Sequence, residues 1–130
     1  MVYLILAVLA LYVVQTFLPS AIMSRAKGPE VMRYAGGPRD EPLELTVHAG
    51  RAARALQNMN EALFVFLPLA LLSVLSDPGG LATWGAWVFL LARVAYVPAY
   101  ITAVGLTRSI VWTVGHVGLG MMAWAVAATV

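Results

Sequence analysis

Thr46-Val-His-Ala-Gly-Arg51-Ala-Ala-Arg54-Ala-Leu-Gln-Asn58-Met-Asn-Glu61-Ala-Leu-Phe64-Val-Phe-Leu-Pro68-Leu-Ala-Leu-Leu-Ser-Val-Leu-Ser76 is the stretch that decides the fold. Its first half is polar and its second half is almost wholly apolar. Three further apolar segments flank it, at about Val2 to Met23, Leu81 to Val104 and Thr107 to Val130. Each approaches the ~20 residues that a bilayer-spanning helix needs. Backbone groups in lipid must bond within their own segment, so helices are expected. The alternation of a transmembrane barrel is missing. The expected fold is an all-α, integral-membrane four-helix bundle with up-down-up-down topology, forming a single domain over residues 1–130.

Composition supports lipid as the solvent. Of 130 residues, 62% are hydrophobic and 11% charged, and a soluble domain of this size cannot hide so much apolar surface. The chain has no cysteine, which excludes disulfides, thiolate metal sites and a protein thiol nucleophile. A formal charge of +2, mixed with acids, does not suggest a nucleic-acid partner. Met1 to Met23 lacks the basic start of a secretory signal, and its apolar run is too long for one. It reads as a retained span.

The connections are short or polar. Residues 25–45 carry Gly28-Pro29, Gly36-Gly37-Pro38 and Glu41-Pro42, an ordinary polar loop with at most a short helical turn. Asp77-Pro78-Gly79-Gly80 is a tight turn, and Gly105 is expected to break the third helix before Thr107 or Arg108 opens the fourth. The first loop holds Arg25, Lys27, Arg33 and Arg39, and the second holds no basic residue. That bias places loops one and three in the cytoplasm and both termini outside.

The polar half of the quoted stretch has a pattern. Arg51, Arg54, Asn58 and Glu61 fall at i, i+3, i+7 and i+10, within an arc of about 80° on a helix. Gln57 and Asn60 lie beside them. A charge at mid-bilayer costs roughly 2.5–3.5 kcal/mol, so such residues need a bundle interior, a polar cavity or the interface. Glu61 is the acid placed to pair with an arginine. The face is either a packing cluster of salt bridges and hydrogen bonds or a ligand site for an anion.

Arg93, Tyr96 and Tyr100 repeat the logic at i, i+3 and i+7. Tyrosines at this depth also suit an interfacial aromatic belt, but their alignment with Arg93 points to a shared pocket. Pro98 lies between them. The last segment opens with Arg108 and Ser109, with Trp112 one turn on. Gly115, Gly118 and Gly120 permit close helix contact. His116 reads as a packing residue and His48 as loop or interface. Two distant histidines make no metal site.

These stretches resemble a known family. Arg51-Ala-Ala-Arg54-Ala-Leu-Gln-Asn58-Met-Asn-Glu61, the Arg93-x-x-Tyr96-x-x-x-Tyr100 pattern and Leu106-Thr-Arg108-Ser109-Ile-Val-Trp112 are similar to the motifs of the membrane-associated proteins in eicosanoid and glutathione metabolism, MAPEG, in its bacterial branch. The resemblance covers essentially the whole chain. It implies a homotrimer in the bacterial inner membrane, with glutathione as cosubstrate between subunits near the cytoplasmic face. By that resemblance Arg51, Arg54, Asn58 and Glu61 hold the tripeptide's charged ends. Arg93, Tyr96 and Tyr100 complete the pocket, and Arg108 with Ser109 sits near the thiol.

The chemistry implied is conjugation of a lipophilic small molecule, or reduction of a lipid hydroperoxide, by a glutathione-dependent transferase or peroxidase. Arginine forks suit two carboxylates, and Glu61 suits the ammonium. A thiol with pKa near 8.5 is mostly protonated at neutral pH. Lowering that pKa by about two units takes roughly 2.7 kcal/mol, within reach of one desolvated guanidinium. Leu56 and Gln57 depart from the residues of some glutathione-using members. The alternative is therefore a non-catalytic membrane lipid-binding or scaffold protein of the same family. A small four-helix exporter would require an acid in the first span, which this chain does not have.

Overall fold

In a computed structural model, which describes residues 1–102 and 105–129, the chain forms five helices: α1 Val2–Lys27, α2 Pro29–Gly36, α3 Val47–Ser76, α4 Gly80–Ile101 and α5 Gly105–Ala127. Four of them, α1, α3, α4 and α5, are long and apolar enough to cross a membrane.

Local chemistry sets most of the boundaries. The Thr46 hydroxyl accepts the Ala49 N–H at 3.3 Å and caps the start of α3, as N-cap threonines do. Asp77, in the left-handed conformation, closes the other end. α1 runs four residues past the expected Met23, because nothing before Gly28 interrupts it. Gly28 has φ 54°, which suits glycine, and Pro29 then sits in the first turn of α2, where its missing N–H costs nothing. The expected loop thus contains an eight-residue helix. Val31 on α2 is buried in one cluster with Met23 of α1 and Ala49 of α3, which holds α2 back against α1. Gly105 begins α5 rather than preceding it. The expected ends at Val104 and Val130 lie outside the described residues.

Spans consecutive in the sequence run antiparallel. Asn58 meets Arg93 and Phe66 stacks on Phe89, centroids 4.7 Å apart at 10°, so α3 and α4 run oppositely. Gly85 faces Gly118 and Gly115 faces Ala92, so α4 and α5 do too. Leu4 and Val8 of α1 close the core against Met59, Leu63, Phe66 and Phe89.

The α4–α5 seam is unusually tight. A Cβ built on Gly118 would lie 2.6 Å from the Gly85 carbonyl oxygen and 2.8 Å from the Phe89 nitrogen. Small residues serve this purpose in membranes, where packing rather than water exclusion holds helices together. The stripe expected at Gly115, Gly118 and Gly120 is therefore a real contact at Gly118 and a looser one at Gly115. At Gly120 it faces open space. Gly85, its partner, carries no periodic signal and was not anticipated.

Candidate functional site

Antiparallel packing brings the first half of α3, the second half of α4 and the start of α5 to one end of the bundle, the end that also carries α2. All nine residues singled out above lie at this end. α3 has 30 residues and is ~45 Å long, against a hydrocarbon layer of ~30 Å. Its polar half therefore reaches out of the hydrocarbon, which relieves the cost of Arg51 and Arg54.

Arg93 is the centre of the arrangement. It is 2% exposed and heads the fully buried side chains ranked by size. Its Nη1 donates to Asn58 Oδ1 at 2.7 Å. Its guanidinium carbon lies 5.1 Å from the Phe89 ring centroid and 5.5 Å from that of Tyr96. Nε and Nη2 are buried without a hydrogen-bond partner, so aromatic faces, whose quadrupoles attract cations, supply the rest of its stabilisation. Gly115 on α5 leaves room for the head group: a Cβ there would stand 3.8 Å from Nε and 3.9 Å from Nη2.

From Arg93 a chain of contacts leads outward. Tyr96 packs on Tyr100, centroids 5.4 Å apart. The Arg108 guanidinium lies over the Tyr100 ring at 4.9 Å. Asn58, Arg93, Tyr96, Tyr100 and Arg108 are thus joined across three helices. Ser109 is exposed beside Arg108, and its carbonyl accepts the Thr113 hydroxyl at 2.9 Å.

Two expectations change. Glu61 is exposed and closes no ion pair with an arginine among the described residues. The acceptor that meets a buried arginine is neutral Asn58. One helical turn separates the two positions, and only Asn58 turns toward α4. Arg51 is partly spent within the fold: its Nη1 donates to the Ile101 carbonyl at 3.1 Å, and His48 Nδ1 lies 3.3 Å from the same oxygen. Both side chains tie the start of α3 to the last carbonyls of α4, where cations are favoured. Replacing Arg51 with alanine is expected to cost about 1 kcal/mol of stability, measured by denaturant unfolding in detergent. Arg54 is exposed and available to a guest.

Sequence reasoning missed Phe89, the aromatic floor under Arg93. Its signal was present, because Phe89, Arg93 and Tyr96 share the i, i+4, i+7 spacing of one helix face.

Four apolar spans thus enclose a buried arginine held by an asparagine, with a tyrosine pair leading to a second arginine. A family model described as the MAPEG family matches residues 2–128. The chain belongs to the MAPEG family. No curated protein and no solved structure matches it. The match covers nearly the whole chain and takes in all five helices. It agrees with the helical, strand-free bundle seen among the described residues.

Proposed function

We propose that this MAPEG protein is a glutathione-dependent transferase or peroxidase acting on lipophilic electrophiles, assembled as a homotrimer with its polar end in the cytoplasm. The observation that carries this reading is the convergence of Arg93, Tyr96, Tyr100 and Arg108 at the end of the bundle that also exposes Arg54 and Glu61. The donor set fits the tripeptide: cationic forks for two carboxylates and one acid for an ammonium.

When bound, glutathione supplies the thiolate whose sulfur bonds to the electrophilic carbon as the leaving group departs with its electron pair. The chain's own residues do the rest. Arg54 and Glu61 orient the charged ends. Arg93, fixed by Asn58 and two aromatic faces, holds a buried positive potential behind Tyr96 and Tyr100. Arg108, steadied on Tyr100, favours the anionic sulfur electrostatically, and the neighbouring Ser109 hydroxyl donates a hydrogen bond to it. The thiol proton leaves to water at the polar end.

The test pairs glutathione titration calorimetry with conjugation of a chlorinated nitrobenzene in detergent. Wild type should bind and turn over. Arg108→Ala should lose about a hundredfold in kcat/KM, as loss of a charge stabiliser does, with glutathione affinity changed much less. A wild type with neither binding nor turnover refutes the reading.

One observation favours the lipid-binding alternative. A hollow of about 640 Å3 lies between α1 and α3, lined by Leu9, Leu63, Phe64 and Leu67 with Tyr12 and Asn60 as its polar members. Lipid that co-purifies with the protein, together with glutathione that leaves its melting temperature unchanged, would support that alternative. A bound ligand in large excess should raise stability.

A further inference from the structure

We propose that the exposed stripe of α5 running inward from Arg108 through Trp112 to His116 seats a lipophilic guest bearing an alcohol hydroxyl, and that His116 Nε2 accepts that hydroxyl's hydrogen bond. The proposal rests on the reading above in taking Arg108 as the reacting end. Arg108, Trp112 and His116 are spaced i, i+4, i+8, which keeps them on one side of the helix. Arg108, Trp112 and Thr113 are exposed, and His116 is half-buried.

The hydrogen bonds within α5 decide which chemistry the stripe accepts. His116 Nδ1 lies 2.9 Å from the Trp112 carbonyl oxygen. A carbonyl only accepts, so Nδ1 carries the proton, and a neutral imidazole then has a bare Nε2. The Trp112 ring packs on the imidazole, centroids 3.8 Å apart at 36°, and holds it in that pose. The Thr113 hydroxyl donates to the Ser109 carbonyl at 2.9 Å, which commits its proton and leaves lone pairs. One turn of α5 therefore presents two acceptors, with the protons of His116 Nδ1 and the Thr113 hydroxyl already committed.

Hydrocarbon offers no water to satisfy them. A guest with an O–H donor satisfies the bare His116 Nε2, which a ketone or ester, having only lone pairs to offer it, would leave unmet. His116 lies ~12 Å along the axis from Arg108, so the hydroxyl belongs that far from the group held at Arg108. The flat Trp112 face packs against the chain between them.

The test is titration of a mid-chain hydroxystearate and of stearate into the protein in nanodiscs, without glutathione. Both probes offer Arg108 the same carboxylate, so the hydroxyl is the only difference. Wild type should bind the hydroxylated probe about tenfold more tightly, the worth of one hydrogen bond. His116→Leu should bring the two within about twofold, and His116→Gln, which restores an acceptor, should keep the preference. Equal binding of both probes by wild type, or a preference that survives in His116→Leu, overturns the assignment. So does a His116→Leu change in subunit number by native mass spectrometry with the preference intact, which would make the stripe a contact between copies. Conjugation of the chlorinated nitrobenzene with no hydroxyl preference sinks only the His116 assignment. A hydroxyl preference without any conjugation sinks only the transferase reading.

Discussion

Gly118→Val is expected to unseat α5 from α4 and to lower stability by about 3 kcal/mol or more, at the upper end of what overpacking costs. The atoms in the way are the Gly85 carbonyl oxygen at 2.6 Å and the Phe89 nitrogen at 2.8 Å from a Cβ. Both belong to backbone, so no rotamer change relieves the clash. The helices must separate, and dispersion contacts along the seam go with them. Gly120→Ala is the matched control. A Cβ there meets nothing within 4 Å, and alanine favours helix over glycine, so stability should hold or rise slightly. Thermal unfolding in detergent, followed by circular dichroism, compares the two. A Gly118→Val protein that melts with wild type would show that the close approach is dispensable.

The second large effect concerns the buried cation. Asn58→Leu removes the only hydrogen-bond acceptor that Arg93 meets among the described residues. A buried charge stripped of its partner is costly, and the expected loss is about 3 kcal/mol. Arg93→Met in the same chain removes the charge as well. The double variant should recover much of that stability, because two apolar side chains of similar bulk leave nothing unsatisfied. A double-mutant cycle isolates the coupling. Additive single losses would mean that Asn58 does not hold Arg93. The double variant also separates roles: restored folding with glutathione binding lost would place the pair in recognition as well as packing.

The four spans were legible because lipid forces one backbone solution, and apolar length alone then locates it. The stripes on α3 and α4 were legible from helical spacing. Which member of each stripe meets the other was not. Asn58 and Glu61 differ by about 60° around the helix, and only the antiparallel register of α3 against α4 selects Asn58. Charge complementarity favoured Glu61, and geometry overruled it. α2 escaped because it is only eight residues long, buries a single side chain, Val31, and lies between Gly-Pro pairs that read as turns. Its signal was the proline after Gly28, which reads equally well as a turn. Gly105 was misplaced for a related reason, since a glycine beside an apolar run marks either side of a break.

The overlong α3 carries a consequence for where this protein can work. Its Arg51-to-Glu61 portion rides at the waterline, one turn or two from the acyl chains. A membrane of longer-chain lipids would submerge that rim, and one of shorter-chain lipids would lift it clear, at fractions of a kcal/mol per ångström. Affinity for a water-borne anionic guest should therefore track bilayer thickness, making the host membrane itself a dial on occupancy.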